Sequence, residues 1–150
     1  MLKKIPDFNA FGELPEGIHW AEWDKISLRF GSNIHRKKML AGLKMVFTQL
    51  KIAGCKHVYL DGSFVTNKQF PNDFDACWDV TGVDVSILFN IIPELFDFNN
   101  GRLNQKMLFY GEFIPYDPSK TGTYSILEFF QYNRNGQKKG IIGIKVDELK

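Results

Sequence analysis

Two predicted strands are joined by the sequence Leu60-Asp61-Gly62-Ser63-Phe64-Val65-Thr66-Asn67-Lys68-Gln69-Phe70-Pro71-Asn72-Asp73-Phe74-Asp75. The first strand, residues 57–61, runs into the Gly62-Ser63 turn, and the second strand begins at Asp73. Glycine lets a phosphate approach the backbone, and serine can donate hydrogen bonds from both its N–H and its hydroxyl. The turn is therefore a candidate phosphate-binding element.

Apolar and polar residues alternate along the second strand, and this period of two places them on opposite faces. The apolar set is Phe74, Ala76 and Trp78, and the other set is Asp73, Asp75, Cys77 and Asp79. Asp73 and Asp75 are about 6.6 Å apart along the strand, whereas Asp79 lies about 13 Å beyond Asp75, too far for the same ion. Two carboxylates in this relation can hold Mg²⁺, whose other positions go to water and phosphate. The pattern favours phosphoryl or nucleotidyl transfer.

The other predicted elements follow from hydrophobic spacing and from Gly and Pro signals. The clearest is a helix capped by Ser32 or Asn33 that runs to about Ala53, with Gly54 as its left-handed C-terminal residue. The rest are an extended arm over 1–19, an amphipathic segment over 20–30, a helix over 82–98 with a break near Pro93, a helix over 102–110, a strand over 112–116, a helix or strand over 124–132 and a strand over 141–146. This order predicts an α+β (mixed α/β) fold over residues 1–150, with a small mixed sheet packed against helices.

Composition agrees with one folded domain that is rich in aromatic residues. The chain has 14 Phe, 5 Tyr and 3 Trp, and 44% of its residues are hydrophobic against 24% charged. The net charge of +2 excludes the strongly basic balance of a protein that coats duplex DNA. No membrane span and no signal peptide are predicted. Cys55 and Cys77 are expected to be buried, reduced thiols of a cytoplasmic protein.

The Gly-Ser turn, the nine-residue spacer and the Asp-hydrophobic-Asp strand resemble the signature of the nucleotidyltransferase superfamily, which has the polymerase-beta-like fold. Longer phrases resemble a small bacterial and phage family of minimal nucleotidyltransferases within it. They are Tyr59-Leu60-Asp61-Gly62-Ser63-Phe64-Val65-Thr66, Asp73-Phe74-Asp75-Ala76-Cys77-Trp78-Asp79, Gly17-Ile18-His19-Trp20, Leu127-Glu128-Phe129-Phe130-Gln131 and Lys139-Gly140-Ile141-Ile142. The resemblance implies a nucleotidyltransferase-like domain with an N-terminal arm.

The resemblance also implies roles for individual residues. Gly62 and Ser63 would bind the phosphates of a nucleoside triphosphate, and Asp73 and Asp75 would hold Mg²⁺ or Mn²⁺. A third carboxylate on a later strand completes such sites. Glu112 is the first choice because it opens a predicted strand, with Glu128 second and Asp117 third.

Several basic residues are further candidates. Lys106 is the first choice for contacting the triphosphate, with Lys68 and Arg102 as rivals. Asp61 is expected to cap the Gly-Ser turn, with contact to the metal as the alternative. The basic run at residues 35–38 is expected on the outward, solvated side of the long helix, where it is also open to a nucleic acid or a partner protein.

The leading functional hypothesis is an Mg²⁺-dependent nucleotidyltransferase acting on the hydroxyl of a tRNA or a protein, in a toxin–antitoxin or phage-defence pair. The first alternative is a catalytically incomplete binding or antitoxin module of the same fold. The second is a metal-dependent phosphohydrolase, although Cys77 stands where an Asp-x-Asp-x-Thr motif has threonine. Neither a membrane nor duplex DNA is an expected partner.

Overall fold

The sheet and its surrounding helices are seen in a computed structural model that describes residues 4–120 and 125–150. The strands are β1 (Gly17–Trp20), β2 (His57–Asp61), β3 (Phe74–Asp79), β4 (Gly111–Tyr116) and β5 (Gly140–Lys145). The α-helices are α1 (Trp23–Phe30), α2 (Ile34–Ile52), α3 (Val85–Ile91), α4 (Asn99–Phe109) and α5 (Ile126–Phe130). Short 3₁₀ helices cover Ser63–Val65, Pro93–Phe96 and Val146–Glu148.

The five strands form one mixed sheet in the order β1-β5-β2-β3-β4. The central strand β2 is antiparallel to both of its neighbours, β3 and β5. The outer pairs β1–β5 and β3–β4 are parallel. This arrangement confirms the predicted α+β class with a small mixed sheet.

Helix α2 matches its prediction closely. The side chain of Asn33 caps it by accepting the Arg36 N–H at 2.8 Å. Gly54 follows with φ of +95°, and a Cβ there would lie 2.9 Å from the Gly82 carbonyl oxygen. The buried apolar side chains of the helix are those of Met39, Leu40, Leu43, Val46, Phe47 and Leu50.

The two faces of the sheet have different environments. One face contributes Val58, Leu60, Phe74, Ala76 and Phe113 to the main core, which also contains the buried face of α2. The opposite face has a smaller cluster of Tyr59, Cys77, Phe130 and Ile141. The predicted alternation along β3 is therefore confirmed, with its apolar set inside the main core.

Aromatic contacts link the elements beneath the Gly-Ser turn. Ring centroids are 5.8 Å apart for Phe30 and Phe64, 6.4 Å for Phe64 and Phe74, and 5.3 Å for Phe74 and Phe113. Such pairs contribute about 0.5–1.5 kcal/mol each beyond the area that they bury. Four of the 14 phenylalanines therefore help to fix β3 against its neighbouring elements.

Two predicted segments differ in the structure, and a third that was left open between helix and strand is helical. Residues 17–19 of the expected arm form β1 together with Trp20, because they pair with β5, more than a hundred residues later in the chain. The segment over 20–30 becomes helical only at Trp23. The ambiguous segment over 124–132 contains helix α5, and Tyr124 lies outside the described residues.

The helix predicted over 102–110 is found, but its beginning is distorted. Asn100, Gly101 and Arg102 have φ of +51°, +62° and +62°, so regular α4 geometry starts after them. The break predicted near Pro93 is present, since α3 ends at Ile91 and a 3₁₀ helix begins at Pro93.

Both cysteines are buried and free, as predicted. Burial raises the pKa of the Cys55 thiol to about 12, which keeps it protonated at neutral pH. Among the helices of the described ranges, none has both the length and the hydropathy needed to cross a membrane.

Candidate active site

Strand register places three carboxylates side by side on the sheet face opposite the main core. Asp61 pairs with Asp75 across the antiparallel β2–β3 ladder, and Asp75 pairs with Glu112 across the parallel β3–β4 ladder. Directly opposed residues on neighbouring strands project to the same face at close range. We call Asp61, Asp75 and Glu112 the carboxylate row. Asp73, predicted as the first residue of the strand, lies just before it, because β3 begins at Phe74.

The two ends of the carboxylate row are neutralised by lysines, and the centre is not. Lys139 forms an ion pair with Asp61, and the Lys106 Nζ lies 3.0 Å from a Glu112 carboxylate oxygen. Over residues 4–120 and 125–150, Asp75 has no basic side chain within ion-pair distance. The negative charge of the row is therefore least compensated at Asp75.

The electrostatics of the aspartates follow from this crowding. Burial, followed by the charges of Asp73, Asp61 and Glu112, raises the pKa of Asp75 to about 7. Burial also raises the pKa of Asp73, and the positive charge of Lys106 opposes this rise. Burial raises the pKa of Asp61 too, although Lys139 opposes the rise. A cation bound here would relieve the repulsion among these groups.

The Gly-Ser turn contacts both aspartates of the Asp-x-Asp pair. Gly62 has φ of +90°, and a Cβ at this position would lie 3.1 Å from the Asp75 backbone nitrogen and 3.2 Å from its Oδ2. The positive φ therefore favours glycine, and a Cβ would also push Asp75 away by a few tenths of an ångström. The Ser63 hydroxyl makes a long contact of 3.5 Å with the carbonyl oxygen of Asp73. The two predicted halves of the site are thus adjacent in space.

The beginning of α2 holds the connection between the turn and β3, which corrects one prediction. Arg36 is not on the outward side of the helix, because only 3% of it is exposed. Its guanidinium donates to the carbonyl oxygens of Phe64 at 2.7 Å and Thr66 at 2.9 Å, and to that of Lys68. The connection lacks strand partners for these carbonyls, and a planar group with five donors can satisfy several of them at once.

Two neighbours of Arg36 extend this anchoring. The Asn33 side-chain amide donates to the Gln69 carbonyl at 2.8 Å, and the His35 ring bonds to the Pro71 carbonyl. Lys37 and Lys38 are exposed, as expected for the basic run. The first turn of α2 thus has a structural role that its charge pattern did not reveal.

The remaining candidates lie around or away from the row. Lys106 is beside Glu112, and Lys68 is exposed but close enough to oppose the rise in the pKa of Asp73. Arg102 lies over the Phe98 ring, with its Cζ 5.5 Å from the ring centroid. Among the alternatives for the third carboxylate, Glu128 is exposed on α5, and Asp117 follows Tyr116, which pairs with Asp79 at the far end of β3. Of the three, only Glu112 is in register with Asp75.

The donor set suits a hard divalent cation. In the described parts of the chain, no three carboxylate, imidazole or thiol groups are arranged around one point as ligands of a single ion. Lys106 and Lys139 are paired with the outer carboxylates of the row, Glu112 and Asp61. Mg²⁺ commonly takes only one or two protein carboxylates. Asp73 and Asp75 fit that requirement.

Sequence reasoning assigned no role to Lys139. Two positions in the sequence could have indicated such a role. Lys139 lies just before one predicted strand, and Asp61 is the last residue of another. If those strands were antiparallel neighbours, the two residues would meet at one edge of the sheet. The single sequence did not specify that pairing.

Fold and site together describe an α+β protein with a carboxylate-rich candidate active site beside a glycine turn. More particularly, the chain belongs to DUF6932, described as a family of unknown function, whose family model matches residues 6–145. Comparisons with curated proteins and with solved structures give no match.

Proposed function

We propose that this protein is an Mg²⁺-dependent nucleotidyltransferase that moves a nucleoside monophosphate from a nucleoside triphosphate to an acceptor hydroxyl. The observation that carries the proposal is the contact of the Gly62-Ser63 turn with Asp73 and Asp75, beside the in-register Glu112. The resemblance of the turn, the spacer and the Asp-x-Asp strand to the nucleotidyltransferase superfamily gives the same assignment.

Each residue has a defined task in this proposal. Ser63 donates hydrogen bonds to the triphosphate, and Gly62 leaves room for it next to the backbone. Asp73 and Asp75 hold Mg²⁺, which when bound neutralises phosphate charge and lowers the pKa of the acceptor hydroxyl. Glu112 accepts the proton of the acceptor hydroxyl while the hydroxyl oxygen bonds to the α-phosphorus and pyrophosphate leaves.

Lys106 lies where it can serve two partners. Its Nζ lies 3.0 Å from a Glu112 carboxylate oxygen, and its charge opposes the rise in the pKa of Asp73 that burial causes. We assign it to binding the negatively charged triphosphate, with exposed Lys68 as a second contact. Transfer of Lys106 from Glu112 to a phosphate would free Glu112 to act as a base.

The biological setting of the proposal rests on the resemblance alone. It comprises a tRNA or a partner protein as acceptor, a toxin–antitoxin or phage-defence pair, and the cytoplasm. The alternative of a binding or antitoxin module is favoured by one observation, since lysines already neutralise Glu112 and Asp61. A protein that never releases these pairs would bind nucleotides without transferring them.

The test incubates the purified protein with Mg²⁺, each α-labelled nucleoside triphosphate, and tRNA or the product of the neighbouring gene. Label on the acceptor together with free pyrophosphate supports the proposal. Release of inorganic phosphate instead indicates a phosphohydrolase, and binding without transfer supports the binding module. Transfer that persists in the Asp73→Asn/Asp75→Asn variant contradicts the assigned mechanism.

A further inference from the structure

The charges around the carboxylate row are unevenly compensated. Lys139 and Lys106 neutralise Asp61 and Glu112, so Asp73 and Asp75 are left without an ion-pair partner in the described part of the chain. Two uncompensated carboxylates match the charge of one divalent cation. This balance depends on both lysines, but the environments of the two lysines differ.

The Lys139–Asp61 pair is much more buried than the Lys106–Glu112 pair. The exposed fractions of the side chains are 12% for Lys139 and 9% for Asp61, against 40% for Lys106. A buried charge separated from its partner is costly, so Lys139 has little freedom to leave Asp61. Lys106 can exchange partners at the surface, whereas Lys139 is a fixed component of the site.

Asp61 has a position from which an unpaired carboxylate would affect the site. It is directly opposite Asp75 across the β2–β3 ladder, and it immediately precedes Gly62 of the phosphate-binding turn. Opposed residues on neighbouring strands have Cβ atoms about 4.5–5.5 Å apart. Without Lys139, the Asp61 charge would therefore lie next to the proposed metal ligands.

We propose that Lys139 is a positioning residue whose ion pair holds Asp61 away from the bound cation and limits the charge of the site to the pair Asp73 and Asp75. This inference rests on the proposed function, because it concerns the same cation site. Lys139 is not proposed to touch the substrate, and it acts only through Asp61.

The proposal predicts opposite changes in cation affinity when either partner is removed. Asp61→Asn leaves the Lys139 ammonium unpaired near Asp75, and we expect Mn²⁺ binding to weaken by at least about tenfold, because the unpaired charge repels the cation. Lys139→Met leaves the Asp61 carboxylate unpaired, and we expect binding to tighten by at least about tenfold, because that charge attracts the cation. In the double variant both charges are absent, and affinity should return to within about threefold of wild type.

The measurement is a Mn²⁺ titration of each purified variant, followed by electron paramagnetic resonance of the free ion. Lys138→Met is the matched control, because Lys138 is the exposed neighbour of Lys139 and its loss should change affinity less than twofold. Equal affinities in wild type, Asp61→Asn and Lys139→Met would overturn the proposal. Changes of the same sign in both single variants would do so as well, since a purely structural role produces that pattern.

Folding is controlled through the double variant. Removing one partner of a buried pair destabilises a protein, whereas removing both is often neutral, so the double variant is expected to fold even if Lys139→Met does not. In that event, weakened binding in Asp61→Asn and its recovery in the double variant decide the question. Absence of Mn²⁺ binding in the wild-type protein would overturn both this proposal and the proposed function. A different result would overturn only the proposal for Lys139. In that result the wild-type protein binds Mn²⁺, the Asp73→Asn/Asp75→Asn variant does not, and changes to Lys139 or Asp61 leave the affinity unchanged.

Discussion

Asp75 and Asp79 lie on the same face of the same strand, four residues apart, yet their surroundings differ. Asp75 is between Asp61 and Glu112, beside the Gly-Ser turn. Asp79 is opposite Tyr116 on β4, and its carboxylate is 3.8 Å from the His57 ring nitrogen. One end of the sheet face therefore concentrates carboxylates, and the other combines an aspartate with aromatic and imidazole groups.

This contrast teaches that alternation along a strand selects a face but not a site. The neighbours that make Asp75 a candidate ligand come from β2 and β4, through pairings between distant parts of the chain. The same residue type at Asp79 lacks those neighbours. Paired variants at the two ends of the face therefore test this functional difference with closely matched chemistry.

The largest expected difference is between Asp75→Asn and Asp79→Asn. We expect Asp75→Asn to lower label transfer from an α-labelled nucleotide by about a thousandfold or more, because the proposed cation loses a ligand. Asp79→Asn should retain transfer within about threefold, since it lies about 13 Å from Asp75 along the strand. Initial rates of acceptor labelling measure both, and equal losses would show that the two ends of the face do not differ in function.

The second comparison concerns the third carboxylate. Glu112→Gln should reduce kcat for label transfer by about 10²–10⁴-fold, the usual contribution of a positioned proton acceptor. Asp117→Asn and Glu128→Gln also remove one negative charge each, but at positions outside the carboxylate row. Both variants should transfer label at rates near that of wild type. A large loss in either of them, with Glu112→Gln active, would move the base away from β4.

The third comparison is between Arg36 and Lys37, adjacent residues of the basic run. Arg36→Met should lower the free energy of unfolding by about 2–4 kcal/mol, because buried carbonyls lose their donors. Lys37→Met changes an exposed side chain and should stay within about 0.5 kcal/mol. Urea unfolding followed by fluorescence measures both. Similar stability of the two variants would refute the anchoring role of Arg36.

The smallest expected effect is on the pH dependence of stability without metal. The pKa of Asp75 in the folded state, about 7, lies above its ordinary value, so the folded protein binds this proton more tightly than the unfolded chain. This proton therefore adds roughly 1–3 kcal/mol to the free energy of unfolding. The added stability is fully present below about pH 4 and is lost as pH rises through 7. Thermal unfolding in EDTA from pH 5 to 8 should show a smaller fall in Tm for Asp75→Asn than for wild type, with Asp79→Asn resembling wild type. Parallel curves for all three proteins would contradict this assignment.

Local sequence signals predicted much of the fold. Helix α2 was predictable because Asn33, the apolar spacing and Gly54 agree with one another. The alternation in β3 was predictable because apolar and polar residues occupy alternate positions along it. By contrast, β1 depends on pairing with residues 140–143, and no local pattern in residues 17–20 specifies that partner.

The candidate site divides in the same way. Gly62, Ser63, Asp73 and Asp75 form a motif within one short stretch, so sequence reasoning found them together. Lys139 and the anchoring role of Arg36 depend on contacts across 78 and 28–32 residues of chain, respectively. A single sequence reveals which residue types are present at such positions but not which of them meet.

In the proposed function, Asp73 and Asp75 bind a cation that in turn binds a nucleotide at the Gly62-Ser63 turn. The most direct measurement is thermal unfolding with Mg²⁺ and each nucleoside triphosphate, separately and together. We expect at least one nucleotide to raise the Tm of wild type and Asp79→Asn only when Mg²⁺ is present, and we expect no rise in Asp73→Asn/Asp75→Asn. An equal rise in the Asp73→Asn/Asp75→Asn variant, or no rise in the wild-type protein with any nucleotide, would contradict it.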